Sequence, residues 1–317
     1  ILQSKGWFMT TASTFFKRDE SNGNVWLEKD ELNSVAFIDR GIEPQILPSE
    51  AAVGQAILDE LIATAHSKQG DINIALLGGR GAQQLHRLLG EKAQTNELDD
   101  VLARLNVFTQ DALAPLAMGN GLSFVRDFER ILGEAFFAKI KSFTPMQTDT
   151  PDLEGALTDY LYKLESLGGL DIFFIGHGPE ANDASHLAYI KPFSGAKAHH
   201  MAGIIPISSS ILEHHISKFK AGGSEISAED EAQCRAAQYI LTLGPAAILG
   251  AKKVVQSVVD ADTAPAKINT YAKVRQTSLP QDEKELADLL DSNPGLWIRL
   301  HSNVKSFVLP NVASPNN

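Results

Sequence analysis

The chain has 317 residues, 44% of them hydrophobic and 21% charged, with a formal net charge of −11; a chain of this size buries roughly 75% of its unfolded surface, so it needs neither a disulfide framework nor a structural metal for stability. The acidity argues against nucleic-acid and anionic-membrane partners, although it leaves room for a phosphorylated small molecule in a local positive pocket. The single cysteine, Cys234, excludes an intramolecular disulfide and fits a reducing cytoplasm, and no apolar run approaches the ~20 residues of a membrane span.

Residues 1–8 precede Met9 and lack the charged segment and long apolar core of a signal peptide. Residues 1–48 read as an N-terminal extension, with a polar turn over 17–23 and short strands around 25–27 and 35–38. Residues 49–317 read as the main domain. Ser49 is a good N-cap for a helix whose apolar stripe is Ala52, Val53, Ala56, Ile57, Leu61 and Ile62. A strand over 72–77 runs into Gly78-Gly79-Arg80-Gly81 and then a helix to about residue 91. The alternation continues with a strand at 105–109, helices at 122–137 and 152–167, the second with Asp152 near its cap, and a strand at 172–175. Beyond these come a strand at 203–207, a helix at 209–219, a strand at 238–243, a helical turn at 245–249 and a strand at 253–259. Helices over 263–274 and 281–290 and a strand over 304–309 complete the series. Such alternation predicts an α/β fold: a doubly wound, mostly parallel, Rossmann-like sheet with helices on both faces and a single main domain. The hydrophilic stretch 221–231 is too short a linker to separate domains.

The densest chemistry follows the strand at 172–175, where an apolar run stops at Gly176-His177-Gly178 and is followed by Glu180, Asp183 and His186. Open α/β sheets bind ligands beyond the carboxyl ends of their strands, which makes His177, Glu180 and His186 candidate catalytic groups. Gly78, Gly79, Arg80 and Gly81 form a strand-to-helix loop whose amides and helix N-terminus suit an anion. The loop is neither a nucleotide P-loop nor a dinucleotide fingerprint. Asp111, just past the strand at 105–109, is placed as a general base. Of nine histidines, the pairs His199-His200 and His214-His215 are adjacent in sequence and point apart on a regular element, so no metal site is expected. His214 and His215 read as a solvated helix face, His66 and His86 as surface residues, and Cys234 as a small packing residue. No Gly-x-Ser-x-Gly elbow supports a serine hydrolase.

Taken in order, these segments resemble the glucosamine-6-phosphate deaminase/6-phosphogluconolactonase family over about residues 50–310. Leu77–Gly81 resembles its phosphate loop, and the segment 109–112 resembles the one carrying its catalytic aspartate, here Asp111. Ser123 and Arg130 follow much as in the deaminase branch. The segment 167–178 is similar to the strand that leads into the family's Gly-x-Gly-x-Asp-Gly-His. The segment 241–254 is similar to a late strand-turn-helix-strand unit, and Leu300-His301 to a near-terminal Leu-His. The chain departs from the pattern where the family has Asp-Gly-His, reading Glu180-Ala181-Asn182 instead. Asparagine cannot exchange a proton near neutral pH, so His177 or His186 would have to take over ring opening. The expected phosphate-gripping basic residues are displaced, leaving Lys191, Lys197, His199 and His200 near that loop. Lys267 lies a turn beyond the position of the family's later lysine, occupied here by Ala264.

The resemblance implies an enzyme acting on a hexosamine 6-phosphate or related phosphosugar by isomerase/deaminase-like chemistry. Asp111 would move a proton between C1 and C2, and Gly78–Gly81 with Arg80, Ser123, Lys191 and Lys267 would hold the phosphate, with no cofactor. A 6-phosphogluconolactonase-like hydrolase and a catalytically degenerate phosphosugar binder are the alternatives. A homo-oligomer is compatible with the sequence, with residues 1–48 as an intersubunit arm or a lid.

Overall fold

The computed structural model describes residues 16–21, 23–29 and 37–313. Its strands are β1 (Phe16–Ser21), β2 (Asn24–Lys29), β3 (Pro44–Ile46), β4 (Ile72–Leu76), β5 (Leu105–Thr109), β6 (Asp111–Ala114), β7 (Ser142–Thr144), β8 (Ile172–Ile175), β9 (Gly178–Pro179), β10 (Ser185–His186), β11 (His200–Pro206), β12 (Tyr239–Leu243), β13 (Lys253–Val258) and β14 (Val304–Val308). The helices are α1 (Glu50–Ser67), α2 (Gln83–Ala93), α3 (Asp99–Leu102), α4 (Phe124–Lys139), α5 (Leu153–Ser166), α6 (Ser209–Ala221), α7 (Ala228–Arg235), α8 (Pro245–Gly250), α9 (Ala266–Gln276), α10 (Glu283–Ser292) and α11 (Pro310–Ala313).

Seven strands form a wholly parallel sheet in the order β3-β14-β13-β8-β4-β5-β7. Its central strands β4, β5 and β8 are buried at every residue, as the continuous apolar runs require of a sheet covered on both faces. From β4 the chain moves outward to β5 and β7, and from β8 it moves the other way to β13 and β14. The direction of winding therefore reverses between β4 and β8, which pair only through Ile74–Ile172 and Ala75–Phe173. A crevice at such a switch point, beyond the carboxyl ends of the strands, is where open α/β sheets bind ligands.

A second, five-stranded sheet was not foreseen: β1-β2-β11-β12-β6, with every pairing antiparallel. Helix α5 lies between the sheets, with Tyr160 edge-on to Phe108 of β5 and donating its hydroxyl hydrogen to Thr109 O at 2.5 Å. One continuous apolar cluster extends through both sheets and their helices. Its capping follows the sequence reading at Ser49 and Asp152, whose side chains accept from Ala52 N and Gly155 N.

Several local expectations are corrected. Residues 17–21 are strand rather than turn, because β1 pairs with β2 to form a hairpin. That hairpin is fastened to the body by Trp26, which is fully buried, stacks on His200 at 4.9 Å and donates Nε1–H to Ser194 O at 3.0 Å. The strand expected at 35–38 lies partly outside the described residues, and Phe37 and Ile38 are not in a strand. The linker read over 221–231 instead ends in α7, opened by a reciprocal Ser227–Asp230 capping box. Cys234 is buried in that helix, as expected of a small packing residue in an alanine-rich stretch. Described α-helices include none long and apolar enough to cross a membrane.

Candidate active site

The crevice at the switch point holds a cavity of about 40 Å³. Its walls include Leu77, Gly78 and Gly81 beyond β4, Gly176, His177 and Gly178 beyond β8, and Ser257 and Asp260 at the end of β13. Asp111 enters from the first residue of β6, His186 from the end of β10, Ala188 and Tyr189 from the segment after it, His214 and Lys218 from α6, and Lys267 from α9. The antiparallel sheet thus supplies one wall: Asp111 is aligned opposite Thr242 of β12.

Asp111 is 5% exposed and has no hydrogen-bond partner among the described residues. Burial pushes its carboxyl up to about 7, with the positive charge of Lys218 pulling the other way. Lys218 is pushed down to about 8 by burial, opposed by Asp111. Its Nζ stands 5.0 Å from the centroid of Phe124 and 4.8 Å from that of Tyr189. Tyr189 is itself held by a 2.5 Å hydrogen bond to His215 Nδ1, and His215 Nε2 bonds Leu122 O at 2.7 Å.

Glu180 and His186 form a dyad, with Nδ1–H donating to Glu180 Oε1 at 2.7 Å and Ser210 donating to Glu180 Oε2 at 2.6 Å. Burial alone would raise the Glu180 carboxyl, but the hydrogen bond and charge of His186, with Ser210, bring it below the usual range. His186 is lowered by burial against the pull of Glu180, so the ring is neutral near pH 7 and Nε2 carries a lone pair. Gly178 makes room for this ring: a Cβ there would stand 1.7 Å from His186 Nε2. His177 bonds Thr270 Oγ1 at 2.6 Å through Nε2, while its buried Nδ1 has no partner among the described residues. Burial holds His177 well below its ordinary range. Lys267, 5% exposed, pairs with Asp260 at 2.7 Å, and Asp260 Oδ1 has no partner among the described residues.

The fold brings Gly78, Gly81, Asp111, His177, His186 and Lys267 to one cavity, with Glu180 behind His186. The other expected ligands lie outside its lining. Arg80 makes a two-point ion pair with Glu50. Ser123 caps α4 by accepting from Val125 N, and Lys191 donates to Pro206 O at 2.6 Å. Arg130 pairs with Asp127 at 2.7 Å. Asn182, which stands where the family pattern has histidine, is exposed with φ 57°.

Sequence reasoning missed Lys218, His214 and Tyr189. His214 and His215 do not form a solvated face: His214 lines the cavity and His215 is 1% exposed, because α6 packs this side against Phe124, with Phe219 of the same helix stacked on the His215 ring. The missed signal was the i, i+4 spacing of His214 and Lys218, which puts both on one helix face. His66 is exposed as expected, but His86 is fully buried against Phe128. The adjacent His199 and His200 do not point apart either. His199 lies in the turn before β11 and His200 at a bulge, so their donor atoms and that of Glu28 come within 4.8 Å. His200 Nδ1 accepts from Lys197 N at 3.0 Å, leaving the proton on Nε2, which faces Asp19 Oδ2 at 3.1 Å. A metal at Nε2 would require the opposite tautomer.

No family model and no curated protein sequence matches the chain. Solved structures do. A monomeric glucosamine-6-phosphate deaminase, described as a missing link of the NagB superfamily, aligns with TM-score 0.66 and 17% identity over 86% of this chain and 99% of its own. The 6-phosphogluconolactonase of Trypanosoma brucei aligns at TM-score 0.62 and 16% identity over 87% and 99%. That of Trypanosoma cruzi aligns at 0.61 and 14% over 88% and 98%. The fold read from the strand and helix order is therefore the one these deaminase and lactonase structures share.

Proposed function

We propose that this chain is an enzyme acting on a phosphorylated sugar by isomerase/deaminase-like chemistry. One observation carries the reading: Asp111, without a hydrogen-bond partner among the described residues, opens onto the same cavity as a histidine oriented by Glu180 and a glycine loop at the start of a helix. The Gly78–Gly81 amides and Lys267 hold the phosphate. His186, through its Nε2 lone pair, takes the anomeric hydroxyl proton of the cyclic sugar as the ring carbon–oxygen bond breaks, and passes a proton to the departing ring oxygen. Asp111 then removes the proton next to the carbonyl and returns it at the neighbouring carbon, passing through an enediol. Carboxyl burial suits Asp111 to both halves of that transfer near neutral pH. His186 takes the role that Asn182, exposed on the same loop, cannot fill.

A hydrolytic reading has support of its own in the Glu180–His186 dyad, since a neutral imidazole held by a carboxylate can also activate water against a lactone. Thermal-shift measurements against a panel of sugar phosphates and lactones, with turnover assayed for each hit, separate these readings. Isomerisation or deamination abolished by Asp111→Asn supports the first, and lactone hydrolysis that survives it supports the second. Stabilisation without turnover would mean a binder.

A further inference from the structure

We propose that Lys218 is an amine nucleophile, whose Nζ condenses with the carbonyl carbon of an open-chain phosphorylated aldose or ketose to form a Schiff base. The proposal rests on the phosphosugar reading and specifies further chemistry for the same cavity. Its first support is the setting of Nζ, which stands over the rings of Phe124 and Tyr189 with no hydrogen bond or ion pair among the described residues. Lys267, the other lysine of the cavity, is instead paired with Asp260 at 2.7 Å. The second support is the seating of the lysine stem on the glycine loop. A Cβ at Gly79 would lie 3.0 Å from Lys218 Cδ, and Gly79 takes φ 77°, so the loop leaves room for this side chain. The third is Asp111, a carboxyl with no hydrogen-bond partner among the described residues on the same cavity, placed to carry protons to and from the reacting carbonyl.

Together these meet the requirements of imine chemistry. An ordinary lysine near neutrality is almost entirely protonated and cannot attack a carbonyl. Burial brings Lys218 to about 8, which leaves on the order of a tenth of it as free amine at pH 7. Its lone pair forms the C–N bond while the carbonyl π pair moves to oxygen, which takes the proton of Asp111 in its acid form. The carbinolamine nitrogen returns a proton to the Asp111 carboxylate. The hydroxyl then leaves with that proton as water, and the net change is amine, carbonyl and the Asp111 proton to protonated imine and water, with Asp111 left as the carboxylate. The protonated imine draws electrons from the adjacent carbon more strongly than a carbonyl does, so a carboxylate of modest basicity suffices to remove the neighbouring proton.

The test is reductive trapping. The protein is treated with sodium borohydride in the presence of dihydroxyacetone phosphate or fructose 6-phosphate, and intact and peptide masses are read. Parallel thermal shifts and turnover are measured without borohydride. The expected result is one adduct, with the mass of the ligand less one oxygen, on the peptide carrying Lys218. Lys218→Arg, which keeps the positive charge, should still be stabilised by the ligand but trap nothing, with turnover lower by at least about a hundredfold at little-changed KM. The proposal is overturned if the wild-type protein turns a phosphosugar over with no trapped adduct, or if the adduct persists in Lys218→Arg. Absence of both stabilisation and turnover with every sugar phosphate would overturn the phosphosugar reading first, and this proposal with it.

Discussion

Glu180 and His186 stand either side of Asn182, and the loop folds so that the Glu180 carboxylate accepts from His186 Nδ1 at 2.7 Å while Asn182 lies exposed between them. Closing the β9–β10 pair, with Ser185 opposite Pro179 and His186 opposite Gly178, brings the imidazole back over the end of β8. In the proposed mechanism, the proton-transfer group therefore comes from four positions further along the chain than the resemblance would place it.

Glu180→Gln keeps the shape of this dyad but removes the charge that favours imidazolium in the transition state. Turnover is expected to fall about 10- to 100-fold, and His186→Gln should cost about 100- to 1,000-fold, with thermal shifts by ligand retained. Steady-state kinetics on the best substrate check both. Equal rates for wild type and His186→Gln would remove His186 from the chemistry.

Gly178→Ala tests the same geometry through the backbone. The new methyl would occupy the space of His186 Nε2, so the ring must swing away from the cavity. Activity should drop to about the level of His186→Gln, while the melting temperature falls by only a few degrees.

Asp111 carries a sign that can be read without any substrate. Its folded-state value of about 7 lies above its ordinary 3.8, so its contribution to stability is fully present below the unfolded value and is lost as pH rises through about 7. Asp111→Asn should therefore melt higher than wild type at about pH 8 and differ little at about pH 4. The same substitution should reduce turnover by about 100- to 10,000-fold. A variant that melts lower at both pH values would mean that the carboxylate is stabilised by contacts the structure does not contain.

If Lys218 condenses with the substrate, the Asp111–Lys218 pair sets the pH profile of catalysis. Condensation needs the free Lys218 amine and Asp111 in its acid form, and their values of about 8 and about 7 give a bell-shaped profile. Measured kcat/KM should peak between about 7 and about 8, and a profile without that maximum would contradict the roles of the pair.

Lys267 and Asp260 are 5% and 3% exposed. Removing one partner of a buried pair leaves an uncompensated charge, so Lys267→Met should destabilise by about 3–5 kcal/mol. Lys267→Met combined with Asp260→Asn should recover most of that loss, as denaturant titration would show. Phosphosugar-induced stabilisation should stay weak in both variants.

The order of strands and helices, the helix caps at Ser49 and Asp152, and the chemistry beyond β4 and β8 were legible in the sequence because they depend on local periodicity and on glycine at strand ends. Asp111, Gly78 and His177 could each be singled out by residue type and place in that order, and Lys267 through the family resemblance. Tertiary structure decided the rest. The antiparallel sheet arises from pairings between segments as distant as Trp26 and Gly203 or Asp111 and Thr242, and no local pattern encodes its partners. Arg80 looks free in sequence yet meets Glu50 across the start of α1, while Lys218 looks like surface yet is carried on α6 over Gly79, Phe124 and Tyr189. A charge's chemistry depends on what surrounds it in space. Sequence determined which ionisable groups this protein has, and packing determined which of them reach the cavity without a partner.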